Sequence, residues 1–584
     1  MRKTSRTYPL QAKRKSQFTL LCCLLFFFTW QFNATAQVVN SLADDNGAGT
    51  LRMIVQNAAP GATISFSVNG VITLTQGQIQ IDKDLNIAGN GETQTVIDGN
   101  SSSRIFKILG GNIVTMSDLS IRNGRVDTQN PSDGGGGGIF NLANLTLTNV
   151  TVEACAATFF GGGISNSYSF FEATSPNTNT VLNCTNCSIR NNAALLGAGI
   201  YSYTLNNGSG TTELRLVNSL IENNYIDDIS NVNGSDGLSI VNDSTGGGVL
   251  VASYTFFPNF LPQQLLVKNC EITNNTAEYG GGMAFLVSGG NSSTNMAEHL
   301  IVSSRIHNNT AGVYGGGIYY SPAFSGAGSG YYSANDIVNT EVSNNTGGGI
   351  HLESPGGSFN LTNTTVAGNL GSTNAGGVTI NFGNLAELDG SYTNLNFDNN
   401  IISLNTGVTP NFVLAGATPA IFNLNNNLSD DYNGLGISPN GTNIEADPMF
   451  VNNNGDYHLT TLSPAIDAGA NNLLPNDVAD VDGDNDTGEV LPLDLFGDER
   501  RFNNGVVDMG ACELQATACL DSDGDGICDD EDNCVGLANP SQLDTDQDGQ
   551  GDVCDADDDN DGVLDVNDSD PLNAFVCQDL DGDG

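Results

Sequence analysis

The chain has 584 residues, of which 65 are acidic and 18 are basic, and its formal net charge is −47. A surface this acidic repels nucleic acids and anionic lipids, and it attracts divalent cations. The charge therefore excludes nucleic acid as a partner and makes a metal ion the first cofactor to look for.

The first 36 residues have the composition of a secretion signal. Six basic residues precede the apolar run FTLLCCLLFFFTW (18–30), and Ala34-Thr35-Ala36 offers a small-x-small cleavage site. A membrane anchor is the alternative interpretation, but the run is short for a span of the bilayer. We expect residues 1–36 to be removed on secretion. No other apolar run reaches transmembrane length, so we expect no membrane-spanning segment in the mature chain.

Residues 37–112 are predicted to form an N-terminal cap and the first coils of a β-structure. Apolar and polar residues alternate in ATISFSVNG (62–70) and in GVITLTQGQIQI (70–81), which is the period of a strand. The exception is TLRMIVQNAA (50–59), whose apolar residues fall on one face of a helix. A short amphipathic helix is a suitable lid for the open end of a solenoid.

Residues 113–442 repeat one pattern at intervals mostly in the low-to-middle thirties. Each copy has an aliphatic anchor, an Asn pair, a short spacer and a glycine run, as in CEITNNTAEYGGGMAF (270–285) and SRIHNNTAGVYGGGIYY (304–320). Self-similarity at this period is typical of a solenoid. The anchors are Ile121, Val152, Ile189, Ile221, Ile272, Ile306, Val342, Val366 and Ile402.

Strands that stack in register, one coil on the next, explain this pattern. The anchors would form a continuous core, and an Asn repeated in one corner can bond to its copy one coil away. Glycine runs permit backbone conformations that other residues avoid. A disordered low-complexity tract is the alternative, but the regular aliphatic positions argue against it. Cys187 and Cys270 share a slot two repeats apart, about 10 Å, and are predicted to be inert core thiols.

The run from residue 38 to 410 resembles the secreted bacterial parallel β-helix proteins of the pectin-lyase-like superfamily. Its GGGI units are similar to the repeats of polymorphic outer-membrane proteins. The resemblance implies an all-β, right-handed parallel β-helix outside the cell, associated with the bacterial outer membrane. Residues 443–514 look like the closing segment that follows such helices. We expect them to supply the last coils and an end cap.

The resemblance raises the alternative of a carbohydrate-active enzyme, a polysaccharide lyase or hydrolase that uses the groove of the β-helix. A pectin hydrolase of this superfamily would show NTD, GDD, GHG and RIK motifs, and none is present. A lyase needs a basic residue to take a proton. No cluster of basic and acidic residues stands out, the four histidines have no partner constellation and are expected to be solvated, and we predict no catalytic residues. The basic residues of the repeats are Arg122, Arg125, Arg190, Arg215, Lys268 and Arg305.

Residues 515–584 change composition sharply and contain three acidic loops. In each loop an acidic residue recurs at positions 1, 3, 5, 9 and 12, with Gly at position 6, which is the pattern of a twelve-residue calcium loop. Carboxylates without His or Cys favour Ca²⁺ over zinc or copper. The predicted ligands are Asp521, Asp523, Asp525, Asp529 and Asp532, then Asp544, Asp546, Asp548, Asp552 and Asp555, and then Asp557, Asp559, Asp561, Asp565 and Asp568.

Two further acidic stretches fit the pattern in part. Asp579, Asp581 and Asp583 begin a fourth loop at the end of the sequence, so we expect the chain to be an incomplete fragment. Asp482, Asp484 and Asp486 alternate in DVDGDNDTG (480–488), but the turn glycine is displaced, so calcium and a plain acidic turn stay open there. For the tail as a whole, the alternative is a solvated acidic segment.

The tail resembles thrombospondin type 3 repeats, since its loops start 23, 13 and 22 residues apart and no amphipathic helices flank them. In that family, alternating long and short units wrap calcium ions and are stapled by disulfides. The resemblance implies a disulfide between Cys534 and Cys554, with Cys519–Cys528 as a second candidate pair. It implies a calcium-bound stalk with little regular secondary structure.

The sequence thus predicts a secreted, calcium-binding, adhesin-like protein in which a β-helix is joined to a stiff stalk. We expect a monomer whose ligand is an extracellular carbohydrate or protein. The aromatic stretches SYSFFEATS (167–175), VASYTFFPNF (251–260) and SPAFSGAGSGYY (321–332) are the candidate contact surface.

Overall fold

The structure is a computed structural model in which nearly all regular structure is β-strand. None of the helices in its described part is long and apolar enough to cross a membrane. It describes residues 37–128, 130, 133–167, 179–206, 211–227, 244–255, 263–288, 297–322, 333–353, 357–371, 375–382, 394–415, 421–433, 442–453, 455–500, 505–514, 523, 532–546 and 548–573. The predicted signal, residues 1–36, lies outside these ranges.

The strands form three parallel sheets of 24, 11 and six strands within the described ranges. The 24-stranded sheet bends at a corner into two rows, and the ten-residue strands Ile113–Arg122 and Asn144–Glu153 belong to both. Successive coils pair in parallel throughout, and connections between parallel strands of one sheet are right-handed. The architecture is the right-handed parallel β-helix that the sequence predicts.

The strand bounds follow the coils in chain order. The first row of the large sheet comprises Gln37–Val39, Ala62–Phe66, Leu85–Ala88, Ile113–Arg122, Asn144–Glu153, Thr180–Thr185, Thr212–Val217, Gln264–Lys268, Ala297–Val302, Ser333–Val338, Gly357–Thr362, Asn394–Asp398 and Ile421–Asn425. Its second row adds Gly70–Thr73, Thr95–Asp98, Ser188–Arg190, Leu220–Glu222, Glu271–Thr273, Arg305–His307, Glu341–Ser343, Thr365–Ala367, Ile401–Ser403, Leu428–Ser429 and Ile444–Glu445.

The two smaller sheets complete each coil. The 11-stranded sheet contains Ile79–Ile81, Phe106–Ile108, Ile139–Asn141, Ile164–Ser167, Ile200–Asn206, Val249–Thr255, Met283–Ser288, Ile318–Pro322, Ile350–Glu353, Val378–Asn381 and Phe412–Ala415. The six-stranded sheet contains Arg125–Val126, Ala156–Ala157, Ala193–Ala194, Tyr225–Ile226, Thr276–Tyr279 and Thr310–Tyr314.

The aliphatic anchors form one column through the core. Ile121 pairs with Val152, Val152 with Ile189, and the register continues without a slip to the pair Val366 and Ile402. Every anchor is fully buried. Each repeat of the sequence is therefore one coil, and burial of its apolar face depends on the coils above and below it.

The Asn pairs have two separate roles at a corner of the coil. The first Asn takes a left-handed backbone conformation, as Asn274 does at φ 55° and Asn308 at φ 56°, because Asn tolerates this region better than most residues. The second Asn points inward and bonds to its copy one coil away. Asn275 Nδ2 donates to Asn309 Oδ1 at 3.0 Å and to the Ile221 carbonyl at 2.9 Å. The ladder runs through Asn192, Asn224, Asn275, Asn309, Asn345, Asn369, Asn405 and Asn411.

The glycine runs meet two demands. Gly280 has φ +64°, which a residue with a side chain adopts only with strain. Its neighbour Gly281 lies against the next coil, where an added Cβ would stand 2.5 Å from the Thr310 carbonyl oxygen. A larger residue would push two coils apart at this corner, which explains why glycines follow one another here.

The N-terminal lid forms as predicted. The helix Leu51–Asn57 is capped by the Thr50 side chain and buries Leu51, Ile54 and Val55 against the first coils. Arg52 holds the lid in place through two bonds to Asp44, at 2.7 and 3.0 Å. Burial alone would raise the pKa of Asp44, but the bonds from Arg52 and from two backbone N–H groups, together with the Arg52 charge, outweigh it and lower this pKa.

The closing segment lies along the flank of the β-helix. After the last rung, Ile444–Glu445, it forms the antiparallel pair Phe450–Asn452 and Asp456–Leu459 and the 3₁₀ turn Asn471–Leu473. Its contacts run backwards along the axis as far as Lys268 and then return part of the way, to Thr365. The Ala470 carbonyl accepts from Asn399, the Leu493 carbonyl from Asn339 and the Ala479 carbonyl from Lys268. We expected an end cap, whereas this segment covers one side of several coils.

A buried charged group fastens the closing segment. Arg500 is fully buried and donates to Asn339 Oδ1 at 2.5 Å and to the Ala511 carbonyl at 2.8 Å. Glu513 lies 3.6 Å from the same guanidinium. Burial, together with the nearby Asp508 carboxylate, raises the pKa of Glu513 to about 8 against the effect of Arg500.

Two histidines differ from the expectation that they are solvated. His299 is buried in the core, where Nδ1 lies 2.7 Å from Asn335 Oδ1, and burial lowers its pKa to about 4. His351 is also buried and stacks on Tyr314 with ring centroids 4.4 Å apart. The sequence does not show that these two histidines are buried, because each lies in a strand whose residues alternate between the two faces of the sheet. His299 stays neutral at physiological pH and supports the core.

Replacing Asn275 with Ala should lower the free energy of unfolding by about 2–3 kcal/mol, because donors and acceptors in two adjacent coils lose their partner inside the core. Asn275 Oδ1 accepts two bonds from Asn224, both at 2.9 Å. Urea denaturation followed by circular dichroism measures the change. The exposed neighbour Thr276 provides the control, and Thr276→Ala should change stability by less than about 0.5 kcal/mol. Equal losses in the two variants would contradict a stabilising ladder.

Stability should fall as the pH rises towards 8, because the folded-state pKa of Glu513, about 8, lies above its ordinary value of 4.5. The folded state binds this proton more tightly, so the contribution is complete below the unfolded-state pKa and is lost as the pH passes through the folded-state value. Melting temperatures at constant calcium across this window measure the effect. Glu513→Gln should flatten the profile, and an unchanged profile in that variant would contradict the assignment.

Candidate metal centre

The acidic tail is described for the second and third loops. Of the ligands predicted for the first and fourth loops, Asp521, Asp525, Asp529, Asp579, Asp581 and Asp583 lie outside the described residues. Asp523 and Asp532 are described. Asp532 Oδ1 accepts the Cys534 N–H at 2.8 Å and the Gln542 side chain at 2.9 Å, so this oxygen closes a turn.

The second loop brings three of its predicted ligands together. Asp544, Asp546 and Asp548 each offer an oxygen within 4.8 Å of the others. Gly549 has φ +98° and donates its N–H to Asp544 Oδ2 at 3.1 Å, which closes the loop on its first residue. Glycine suits this position because the backbone lies in the left-handed region, which most residues with a side chain adopt only with strain.

The third loop repeats this geometry. Asp557, Asp559 and Asp561 offer oxygens within 4.8 Å of one another. Gly562, at φ +94°, donates to Asp557 Oδ2 at 3.1 Å. Two loops with different sequences thus share the same turn and the same closing bond. This agreement shows that Asp at position 1 and Gly at position 6 act together to shape the loop.

The third loop also contains buried oxygens that lack a partner. Among the described residues, none donates a hydrogen bond to four buried carboxylate oxygens, which belong to positions 1, 3, 5 and 12 of the loop: Asp557 Oδ1, Asp559 Oδ2, Asp561 Oδ2 and Asp568 Oδ2. A buried carboxylate oxygen without a partner is costly. These positions are the side-chain ligands of a twelve-residue calcium loop. Oxygens of Asp557, Asp559 and Asp561 lie within 4.8 Å of one another, so one bound cation would contact all three residues.

The residue at position 9 has a different role in both loops. Asp552 Oδ1 accepts the Thr545 N–H at 2.8 Å, and Asp565 Oδ1 accepts the Asp558 N–H at 3.0 Å. These carboxylates brace the start of their loops and stand outside the three-residue groups. Position 9 often reaches calcium through a water molecule, which is compatible with this arrangement. Asp555, at position 12 of the second loop, accepts the N–H groups of Ala556 and Asp557 and so leads into the third loop.

The charge of the tail is not compensated by basic residues, since the sequence has no Lys or Arg after Arg501. Loss of solvation, together with the neighbouring carboxylates of Asp565, Asp552 and Asp555, raises the pKa of Asp558 to about 6. The pKa of Asp559 is raised for the same first reason. Apolar packing cannot offset this repulsion, since apolar side chains of the tail are exposed, among them Leu543, Val553, Leu564 and Val566.

A disulfide joins the first and second units of the tail. Cys534 and Cys554 are bonded with their Cα atoms 5.7 Å apart, which is the pairing implied by the resemblance to thrombospondin type 3 repeats. Asn533 and Gly551 bond across the same junction at 3.1 Å. Cys519 and Cys528 lie outside the described residues. Cys187 and Cys270 are unbonded and buried in the β-helix, as predicted.

The acidic stretch at 480–488 forms a loop two residues earlier than the sequence suggests. Asp480, Asp482 and Asp484 are grouped, whereas Asp486 is outside the group and accepts the Gly488 N–H at 2.9 Å. Asn485 takes the turn at φ +70° and donates to Asp480 Oδ1 at 2.9 Å. This is the bond that glycine makes in the tail loops. The position of this loop could have been predicted from the sequence, because Asn485, like glycine, tolerates the left-handed region.

Comparison with known proteins finds distant structural likenesses only. No family model and no curated protein matches the sequence. Among solved structures, pectate lyase Pel9A is similar, with 13% identity and a TM-score of 0.38 over 82% of this chain and 97% of that chain. ORF18 of Geobacillus virus E2 matches with 13% identity and a TM-score of 0.26, over 72% of this chain and 65% of that chain. Neither likeness carries an argument about activity.

The basic residues of the β-helix contact carboxylates or carbonyls. Arg122 lies 2.9 Å from Asp98, Arg190 lies 2.9 Å from Glu153, and Arg305 lies 3.3 Å from Glu341. Lys268 donates to the closing segment. The remaining contacts are those of Arg125 with Asp127 and Arg215 with Glu213.

Replacing Asp557 with Asn should remove one calcium ion per chain, because the third loop loses the carboxylate at position 1, which calcium loops of this pattern keep as Asp, whereas they accept Asn at positions 3 and 5. The sites are expected to bind with dissociation constants of about 10⁻⁴–10⁻³ M, the range of extracellular modules. Calorimetric titration of the mature chain counts the ions. Asp570→Asn makes the same charge change at an exposed position outside the loop. Equal calcium binding by the two variants would contradict a site in this loop.

Proposed function

We propose that the chain is a secreted calcium-binding surface protein in which a rigid β-helix presents a ligand-binding face and the acidic tail forms a calcium-stiffened stalk of the thrombospondin type 3 kind. The observation that carries the proposal is the third loop, with four buried carboxylate oxygens that lack partners at the ligand positions of a calcium loop. Calcium supplies positive charge there, and it would order a segment without an apolar core.

The topology of the β-helix supports a single binding face. The aromatic stretches near residues 167, 255 and 322 each follow a strand of the 11-stranded sheet, since Ile164–Ser167, Val249–Thr255 and Ile318–Pro322 end there. Parallel strands end at the same edge, so these stretches leave from one corner of the coil. Most of their residues lie outside the described ranges, and their contact role is a proposal.

Aromatic side chains on and beside this sheet support the same face. Tyr201, Tyr203 and Tyr319 lie in its strands, whereas Tyr279 lies in the six-stranded sheet and Phe160 lies outside the named strands. Phe160 stacks on Tyr201 with ring centroids 4.8 Å apart, and Tyr201 lies 5.7 Å from Tyr203. Further along the axis, Tyr279 lies 5.2 Å from Tyr319. Rows of aromatic rings bind the apolar faces of sugars and protein side chains. We therefore propose an extracellular carbohydrate or protein as the ligand, with the chain acting as an adhesin-like monomer at the bacterial surface.

A carbohydrate-active enzyme is the competing function, and one experiment separates the two. The mature chain is incubated with a panel of acidic and neutral polysaccharides, with calcium and with EDTA, and both binding and product formation are measured. We expect binding without new reducing ends or unsaturated products. Calcium-dependent product formation would overturn the adhesin proposal. Binding that is lost in a Tyr203→Ala variant of unchanged stability would place the ligand on the aromatic face, since Tyr203 is only partly buried.

A further inference from the structure

A hairpin in the closing segment holds an acidic group that the tail loops do not explain. Asn476 and Val490 form an antiparallel bridge, the Asp477 N–H donates to the Glu489 carbonyl at 2.8 Å, and the Leu491 N–H donates to the Pro475 carbonyl at 2.9 Å. The hairpin is therefore closed at residues 475–477 and 489–491, with an acidic tip between them. It lies far from residues 532–573 in sequence.

Three carboxylates converge inside this hairpin. Asp477 from the first arm, Glu489 from the second and Asp482 from the tip each offer an oxygen within 4.8 Å of the others. The group is distinct from the exposed turn of Asp480, Asp482 and Asp484, although it shares Asp482 with that turn. It joins both arms of the hairpin.

Two buried oxygens of this group, one on Asp477 and one on Glu489, lack a hydrogen-bond donor among the described residues. The Asp477 side chain is 1% exposed, and its Oδ1 accepts no hydrogen bond from the described residues, while Oδ2 accepts the Val481 N–H at 2.6 Å. Glu489 Oε1 is also buried and has no donor within the described ranges. Burial raises the pKa of both groups, and the other carboxylates raise them further. The nearby cation, Lys268, donates instead to the carbonyls of Ala479 and Asp480.

We propose that Asp477, Asp482 and Glu489 bind one calcium ion, and that this ion fixes the hairpin against the flank of the β-helix. Carboxylate oxygens without nitrogen or sulfur ligands favour calcium over zinc or copper. The ion would link the two arms and satisfy the unpartnered oxygens. This site is separate from the stalk, and its existence does not depend on the proposed function.

The packing of the hairpin explains how the ion would act on the fold. Leu491 is buried against Val302 and Val338 on the β-helix, and Ala479 and Val481 pack on the same patch. These apolar residues lie directly beside the acidic arms. Repulsion between the arms would separate them and expose the patch, whereas a bound cation holds them together. Calcium would thus strengthen the attachment of the closing segment.

Hydrogen exchange of the mature chain, read by mass spectrometry on peptides that cover residues 475–491, tests the site locally. With about 10 mM calcium and a dissociation constant of about 10⁻³ M, exchange through opening of the hairpin should slow about tenfold relative to EDTA. Asp477→Asn and Glu489→Gln should lose this protection. Both substitutions keep the shape of the side chain and remove a buried charge, so we expect both variants to fold.

Asp486→Asn is the matched control, because Asp486 is exposed, lies in the same hairpin and stands outside the group. It should retain the calcium protection. Equal exchange with calcium and with EDTA in the unmodified chain, or equal loss of protection in Asp486→Asn and Asp477→Asn, would overturn the site. Peptides from residues 555–573 report the stalk in the same samples, so failure of the hairpin site and failure of the stalk are read separately.

Discussion

In-register stacking of one coil on the next is the constraint on which the rest of the β-helix depends. Side chains in equivalent positions of successive coils must tolerate contact with their own copies at about 4.8 Å. Aliphatic anchors satisfy this by apolar contact, and Asn satisfies it because its amide is both donor and acceptor. A charged residue in such a column would lie beside a residue of the same charge in the adjacent coil, and the two would repel each other. The fold therefore confines its acidic surplus to the outside, to the closing segment and to the tail.

The tail, unlike the β-helix, is not ordered by the burial of apolar side chains. Carboxylates at alternate positions of a tight loop converge on a common point, and apolar residues of the tail face solvent. The loop closes through a bond from the N–H at position 6 to the carboxylate at position 1, and one disulfide holds two units together. These loops have no positive charge of their own. In our proposal calcium supplies it, and the tail stiffens where the ion binds.

The regular parts of the molecule could be predicted from the sequence because each repeat carries the same pattern. Ile121 through Ile402, the Asn ladder and the helical lid all occupy the places that their patterns indicate. Irregular features were harder to predict. The path of residues 446–514 along the flank depends on single contacts such as Arg500 with Asn339, which no periodicity indicates.

For a similar reason, the loop predicted from the sequence at residues 482–486 lies two residues later than the loop in the structure. Residues 480, 482 and 484 fit a calcium loop only when Asn485 is accepted at the glycine position, and the group of Asp477 with Glu489 exists only because two arms of a hairpin pair. His299 occupies a core position, and His351 is buried against aromatic rings on the outer face of its sheet, although the sequence pattern gives no sign that either is buried. Local spacing predicts local loops, whereas contacts between distant residues require the fold.

Small-angle X-ray scattering of the mature chain, with calcium and with EDTA, is the decisive measurement, because it reports the dimensions of the tail beside an unchanging β-helix. If calcium orders the tail, the radius of gyration and the maximum dimension should change with calcium, and the circular dichroism spectrum should stay that of β-structure in both conditions. Identical scattering curves with calcium and with EDTA would contradict a tail that is held together by bound metal.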